Sequence, residues 1–294
     1  MGTIIRKLLL VVLVIFCSIN SVEAARDFTA ASTYGVTTNF NASRAPCGGH
    51  PCTIAGWFKT TDTTNNRTVY MDYRNATERI NMGPNAVGAG KFYAYIAHGG
   101  LSALAETTNT ISTTGWNHFC ARYVSPTSHN IILNGDLANK GTSTTNVNSF
   151  PDFTTNHTIR IGFDGTNTLP GHYAWFMEYE GTFSEDQCIA LYRGANPARM
   201  MPSGAEVWPL WGRDSPEVNI STDQRAGQTA TNLPLTLNGS PAVSPDGPPV
   251  TLFTISDLIE QDGILPGTIP WFRKKLSPTR WQLAQMLELE KYGF

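Results

Sequence analysis

Hydrophobic and polar residues alternate along most of this chain, with the period of two that a β-strand needs and not the 3.6 of an α-helix. The alternating segments are short, rich in aromatic and β-branched residues, and bounded by Gly, Asn, Asp, Thr or Pro. They cover residues 53–59, 68–73, 91–97, 116–123, 130–133, 158–163 and 172–179. Many short strands without long amphipathic helices predict an all-β sandwich or jelly roll.

Local turn and capping signals add detail to this prediction. Asn134-Gly135 directly follows the segment 130–133, and this pair favours a hairpin because both residues tolerate the positive φ angles of a type I′ turn. The sequence Ser184-Glu185-Asp186-Gln187 is a capping-box pattern, which predicts a helix over 184–192 that ends at Gly194. A second helix is predicted in the C-terminal tail, over 277–292.

The first 25 residues have the pattern of a signal peptide. Arg6 and Lys7 precede an apolar run over 8–17, which is shorter than the roughly 20 residues that span a bilayer. Small residues then offer cleavage after Ala24 or Ala25. The alternative is a short membrane anchor that stays on the protein. The pattern predicts a protein that is secreted or held at the cell surface, with no stable membrane span after cleavage.

The charge balance argues against nucleic acid and anionic lipid as partners. The chain carries 21 Lys and Arg against 23 Asp and Glu, a formal net charge of −2. Loss of Arg6, Lys7 and Glu23 with the leader changes this value to −3. Charged residues make up only 15% of the chain, so no basic surface for phosphate groups is expected.

The cysteines predict disulfides in an exported protein. Five cysteines become four when Cys17 leaves with the leader, and an even number can be oxidised outside the cytosol. Cys47 and Cys52 bracket a short loop with two glycines, which predicts a local bridge. That would leave Cys120 and Cys188 to pair, with two buried free thiols as the open alternative.

Several segments resemble, in the same order, the strands of laminin G-like (LamG) domains of the concanavalin A-like lectin and glucanase superfamily. The matching segments are 26–34, 53–59, 115–119, 131–135, 159–162 and 171–192. The segments 194–197 and 207–210 resemble the closing part of bacterial and phage members. The resemblance covers roughly residues 26–250 and implies a jelly-roll sandwich of two antiparallel sheets with one short helix. Trp175 and Glu178 depart from the pattern, since such domains often carry an acid at the first position and an apolar residue at the second.

These observations divide the chain into four parts. Residues 1–25 are the predicted signal peptide, and 26–240 the LamG-like domain. Residues 241–250 are rich in proline and predict an extended linker without a strand partner. Residues 251–294 form a tail with a short helix, which either docks back on the domain or binds a protein partner.

The sequence does not predict an enzyme. Laminarinase-type glycoside hydrolases share the superfold and need two carboxylates about 5 to 5.5 Å apart. Glu178 and Glu180 alternate on one predicted strand, but no third acid follows on that strand, and Glu185 lies beyond the turn. A solvated strand end before a capped helix is the simpler interpretation.

Two candidate sites remain. Tyr93 and Tyr95 lie opposite the apolar residues of their strand, and by the same alternation Trp175 would join them if the strands share a sheet; together they would bind a glycan. Asp164 and Asn167 lie in a loop between predicted strands and offer oxygen ligands, which suits a calcium ion of the kind that LamG relatives often bind.

Three functions are therefore considered. The first is an exported, non-catalytic carbohydrate-binding or adhesion module. The alternative is a structural or assembly protein, such as a virion decoration or surface component, that uses the tail for protein contacts. A laminarinase-type hydrolase is the least favoured.

Overall fold

The computed structural model describes residues 25–29, 34–36, 47, 49–63, 67–85, 90–149, 157–195, 197–200, 205–208, 210, 235–244 and 246–250. The chain divides into two compact units, Met1–Val250 and Thr251–Phe294. The second unit and residues 1–24 lie outside the described residues, so the signal peptide, the tail helix and its protein partner stay predictions. Within the described part, no helix is long and apolar enough to cross a membrane.

The described strands follow the predicted all-β pattern. They are β1 Ala25–Asp27, β2 Tyr34–Val36, β3 Cys52–Lys59, β4 Tyr70–Asn75, β5 Glu78–Asn85, β6 Lys91–His98, β7 Leu101–Thr110, β8 Asn117–Ser125, β9 Ser128–Leu133, β10 Gly141–Ser143, β11 Thr158–Ile161, β12 His172–Tyr179, β13 Ala205–Trp208, β14 Thr236–Asn238 and β15 Ala242–Ser244. The helices are α1 Glu185–Tyr192 and α2 Pro197–Met200. The capping box of Ser184 and Gln187 at the start of α1 is confirmed.

The strands form two antiparallel sheets that face each other. The eight-stranded sheet has the order β10-β9-β8-β3-β12-β1-β15, with β13 also paired to β12. The seven-stranded sheet has the order β14-β2-β11-β4-β5-β6-β7. This arrangement confirms the sandwich of the jelly-roll class, in which the inner faces of the two sheets pack together to form the core.

The core between the sheets is built from aromatic rings. The ring centroids of Phe58 and Phe92 are 5.1 Å apart, and those of Phe92 and Phe119 are 5.4 Å apart. Phe92 belongs to the seven-stranded sheet and the other two rings to the eight-stranded sheet, so these contacts join the layers. Burying each ring removes more than 100 Å² of apolar surface from water and is a main source of the stability, about 1.5 to 3 kcal/mol per side chain.

Two disulfides fasten the sandwich. Cys47 and Cys52 are bridged, with Cα atoms 5.4 Å apart. Cys120 and Cys188 are bridged as well, with Cα atoms 5.8 Å apart, and this bond attaches α1 to β8. Both predicted pairings are confirmed, and the alternative of two free thiols is wrong.

The prediction that residues 241–250 form an unpartnered linker was wrong for the described residues of that range. Residues Ala242–Ser244 pair with β1 as an edge strand of the eight-stranded sheet. Asp246 then accepts hydrogen bonds from Lys59 Nζ at 2.6 Å and Trp116 Nε1 at 3.2 Å, and Val250 is fully buried. The prolines misled the prediction, because they flank a strand that lies at the sheet edge, where proline is tolerated.

Candidate ligand-binding site

The outer face of the seven-stranded sheet carries a row of side chains across its neighbouring strands. Met71 of β4 lies opposite Asn81 of β5, Asn81 lies opposite Tyr95 of β6, and Tyr95 lies opposite Leu104 of β7. The inner positions of β6 hold Phe92, Ala94 and Ile96, which belong to the hydrophobic core. The predicted division of β6 into a core face and a tyrosine face is therefore confirmed.

This row forms the floor of a depression of about 540 Å³, which we call the outer-face depression. It is lined by Met71, Arg79, Asn81, Tyr93, Tyr95, Leu104, Asp164, Thr166 and Asn167. The last three residues come from the loop after β11, which closes one side. Tyr93 and Tyr95, predicted for a glycan, thus lie in the same depression as Asp164 and Asn167, predicted for calcium.

Arg79 places a positive charge in the depression. Its guanidinium carbon lies 5.1 Å from the centroid of the Tyr95 ring, a cation–π arrangement. Its Nε is buried and has no hydrogen-bond partner among the described residues. None of the ion pairs found between described residues includes Arg79.

Tyr93 is more deeply placed than its neighbour and is only 8% exposed. Burial raises the pKa of Tyr93 well above its ordinary value, although the nearby charge of Arg79 and a hydrogen bond with Asn81 act in the opposite direction. The phenol therefore stays protonated at any physiological pH. The side-chain oxygen of Asn81 accepts a hydrogen bond from the Thr68 hydroxyl at 3.0 Å, which fixes its amide in the depression.

The loop at the rim is held by its own hydrogen bonds. Asp164 Oδ1 accepts from the backbone N–H groups of Thr166 at 2.7 Å and Asn167 at 2.6 Å. Asp164 Oδ2 accepts from Asn167 Nδ2 at 3.2 Å, and the Asp164 carbonyl accepts from Arg160 at 2.9 Å. The guanidinium carbon of Arg160 in turn lies 4.4 Å from the centroid of the Tyr73 ring.

This loop is a poor fit to a calcium site by itself. Calcium takes 6 to 8 oxygen ligands from carboxylates, carbonyl groups and waters. The loop offers the Asp164 carboxylate, which the two loop amides already engage, and the neighbouring Thr166 hydroxyl and Asn167 amide. Among the described residues, no group of three or more His, Cys, Asp or Glu could hold a metal ion. Calcium binding at Asp164 and Asn167 stays a prediction.

The prediction that Trp175 shares a surface with Tyr93 and Tyr95 was wrong. Trp175 lies on β12 in the other sheet and is only 2% exposed. The pairing of β12 with β3 shifts by one residue between Ala174 and Met177, and Trp175 has a φ angle of +54° within this bulge. A bulge inserts one residue and reverses the alternation after it, which a simple period of two cannot show.

Helix α1 covers the outer face of the eight-stranded sheet around Trp57, whereas the outer face of the seven-stranded sheet carries the open depression. Trp57 of β3 contacts Tyr192 of α1 and His118 of β8, with ring centroids 6.0 Å and 4.9 Å away. Trp57 and His118 are both buried. Burial lowers the pKa of His118 to about 3, so its imidazole is neutral. The helix thus occupies the face around Trp57 that a ligand would otherwise reach.

Sequence reasoning missed Arg79, Asn81, Met71 and Leu104. The alternation of Arg79 and Asn81 with Ile80 and Met82 was a usable signal, because it puts two polar side chains on one face of a strand. Leu104 had no such signal. It becomes a site residue only because β7 pairs with β6.

The comparisons with known proteins agree with this architecture. The family model described as the concanavalin A-like lectin/glucanases superfamily, of the Laminin_G_3 type, matches residues 32–187, just over half of the 294 residues. No curated protein matches the sequence.

Solved structures that match come from bacteria and from an animal. A proposed carbohydrate-binding protein from Bacteroides ovatus matches with a TM-score of 0.53 and 18% identity, covering 79% of this chain and 62% of that chain. Domain 4 of the extracellular arabinanase AbnA from Geobacillus stearothermophilus, solved with arabinotriose, matches with a TM-score of 0.39 and 16% identity. The match covers 49% of this chain and 67% of that chain. Domains LG4-5 of the mouse laminin α1 chain match with a TM-score of 0.41 and 11% identity. The match covers 56% of this chain and 44% of that chain. With the family model spanning most of the sandwich, the chain belongs to the concanavalin A-like lectin/glucanase superfamily, in its laminin G branch.

Proposed function

We propose that this chain is an exported, non-catalytic carbohydrate-binding module whose glycan lies in the outer-face depression. The observation that carries the proposal is the row of Met71, Asn81, Tyr95 and Leu104 across four neighbouring strands, closed on one side by the loop 164–167. Its volume of about 540 Å³ lies within the range of about 300 to 1,000 Å³ that small-molecule sites occupy.

The chemistry of the lining suits a sugar. A sugar ring has apolar C–H surfaces and a rim of hydroxyl groups, so its site needs both kinds of contact. Leu104 provides apolar surface and is 47% exposed, whereas Met71 is only 2% exposed. The Asn81 and Asn167 amides and the Tyr93 phenol can donate to and accept from hydroxyl groups.

The two acids considered for hydrolysis support a non-catalytic role. Glu178 is completely buried in the sandwich, whereas Glu180 is exposed at the end of its strand. A retaining hydrolase would need both carboxylates at one open site, about 5 to 5.5 Å apart. These residues therefore do not form such a pair at the surface.

Export is supported by the covalent structure. Two disulfides within one small domain are typical of proteins that fold outside the cytosol. The Bacteroides ovatus protein of the same fold is itself proposed to bind carbohydrate, which agrees with the proposal.

A matched pair of leucine variants tests the site. Leu104 lines the depression, while Leu101 lies on the same strand outside its lining and is similarly exposed, at 41% against 47%. Leu104→Asp should abolish retention on the polysaccharides that the wild type binds in affinity electrophoresis, and Leu101→Asp should not. Equal retention of the two variants would place any glycan site elsewhere on the molecule.

A further inference from the structure

The charged group in the outer-face depression decides which kind of sugar can bind there. Arg79 brings its guanidinium to the depression, and its known contact among the described residues is the Tyr95 ring. A guanidinium that packs flat on an aromatic ring keeps its N–H groups directed parallel to the plane of that ring. The Nε of Arg79 is buried and has no acceptor among the described residues, so a ligand with its own acceptor would have to be bound by the two terminal Nη groups.

The acids near Arg79 are engaged with other groups. The Asp164 carboxylate accepts two backbone hydrogen bonds and one from Asn167 within its own loop. Glu106 lies opposite Tyr93 and has Lys91 as an ion-pair partner at 3.9 Å. Arg79 therefore differs from Arg160, whose guanidinium donates to the Asp164 carbonyl.

Arg79 also changes the role of Tyr95. A sugar that stacks on an aromatic ring needs a free ring face, and the guanidinium covers one face of Tyr95. Tyr93 cannot replace it, because its ring is only 8% exposed. The depression thus offers less aromatic stacking than the sequence suggested, and in its place offers a planar cation beside the amide of Asn81.

We propose that the outer-face depression recognises an acidic glycan, with the carboxylate of a uronic acid residue bound by Arg79. The guanidinium fork matches the planar, two-oxygen geometry of a carboxylate. The Asn81 amide and the Tyr93 phenol lie beside the fork to take the neighbouring hydroxyl groups, and Leu104 contacts the apolar side of the sugar ring. This inference rests on the proposed function of the same site.

The experiment compares three ligands of equal length by isothermal titration calorimetry. They are an oligogalacturonide, the same oligosaccharide with its carboxyl groups methyl-esterified, and the neutral galactose oligosaccharide. The proteins are the wild type, Arg79→Gln, Arg79→Lys and Arg193→Gln. The last variant removes a charge from an exposed arginine at the C-terminal end of α1, so it controls for net charge.

We expect the wild type and Arg193→Gln to bind the oligogalacturonide more tightly than the ester or the neutral sugar. Arg79→Gln should weaken acid binding about 10- to 100-fold, which is what losing a charge-assisted hydrogen-bonded pair costs, and should leave the neutral sugar unaffected. Arg79→Lys should fall between the two, because lysine keeps the charge but not the fork. Circular dichroism confirms that each variant is folded.

The outcomes separate the two proposals. Equal affinity of the wild type for acid and ester, or an equal effect of Arg79→Gln on all three ligands, overturns the acidic-glycan inference and leaves the proposed function in place. A sulfated galactose oligosaccharide without carboxyl groups serves as a fourth ligand, and its tighter binding than that of the oligogalacturonide also overturns the inference. If the folded wild type binds none of these ligands and no polysaccharide in affinity electrophoresis, the proposed function itself is overturned.

Discussion

Arg79 lies across the ring of Tyr95, with its guanidinium carbon 5.1 Å from the ring centroid. The two residues sit in adjacent rows of neighbouring strands, Arg79 opposite Ala97 and Tyr95 opposite Asn81. Their contact is therefore diagonal across the strand pair, which long and aromatic side chains can span. It joins the cation of the outer-face depression to the aromatic ring in its floor.

This contact predicts a difference between two Tyr95 variants. Tyr95→Phe keeps the ring face and should retain glycan binding, whereas Tyr95→Ala frees the guanidinium and should weaken it. A cation–π contact at a partly exposed site contributes about 0.5 to 1 kcal/mol, so the loss should be about 2- to 5-fold in Kd. Titration calorimetry with the oligogalacturonide measures it. Equal affinities of the two variants would show that the ring does not position Arg79.

Two truncations test the role of residues 241–250. A chain that ends at Val250 keeps β15 and the contacts of Asp246, whereas a chain that ends at Ser240 loses both, together with the hydrogen bond from Arg26 to the Pro241 carbonyl at 3.0 Å. We expect the shorter chain to melt lower by on the order of 5 to 10 °C, since each kcal/mol is about 2 to 4 °C at this size. Identical melting temperatures in differential scanning calorimetry would show that β15 adds nothing to stability.

The buried imidazole of His118 predicts a dependence of stability on pH. Burial lowers its pKa from 6.5 to about 3, so between these values the unfolded chain binds a proton that the folded protein does not. The stability that the neutral imidazole allows is complete above pH 6.5 and is lost as the pH falls towards 3. His118→Phe removes this loss and keeps an aromatic ring beside Trp57.

Urea unfolding of the wild type and His118→Phe from pH 7 to 4 measures the effect. The wild type should lose up to about 1.4 kcal/mol relative to the variant for each pH unit below 6.5. Parallel stability curves for the two proteins would mean that the imidazole titrates alike in the folded and unfolded chains.

The two disulfides should contribute unequally. Cys47 and Cys52 are 5 residues apart in sequence, whereas Cys120 and Cys188 are 68 apart. Closing the longer loop removes more unfolded-state entropy, so replacing both Cys120 and Cys188 by Ser should cost about 4 kcal/mol, against about 2 kcal/mol for Cys47 and Cys52. Urea unfolding of the two double variants gives the comparison. A larger loss for the shorter loop would show that strain or packing, and not loop closure, sets the order.

Several strands could not be predicted from the sequence, and each for a physical reason. β5 ends in Gly83-Pro84-Asn85, which looks like a turn, although these residues pair with β6. β7 has small or polar residues at most of its positions, so its alternation is weak, and pairing with β6 defines it. The short edge strand β15 carries little pattern of its own and depends on β1 for its hydrogen bonds.

By itself, the sequence determined the all-β class, the core face of β6, the capped helix α1 and the Cys47–Cys52 bridge, whereas the structure decided between a bridge and two free thiols for Cys120 and Cys188. These features depend on local alternation, on a capping box and on the spacing of cysteines, all of which can be recognised in short stretches of sequence. The tertiary structure decided that Trp175 is buried at a bulge, that Arg79 covers the Tyr95 ring, and that the loop 164–167 closes the depression around both tyrosines. Strand order and register set these relationships, because they bring together residues that are far apart in sequence. The local sequence pattern around each residue does not show which strand will be its neighbour.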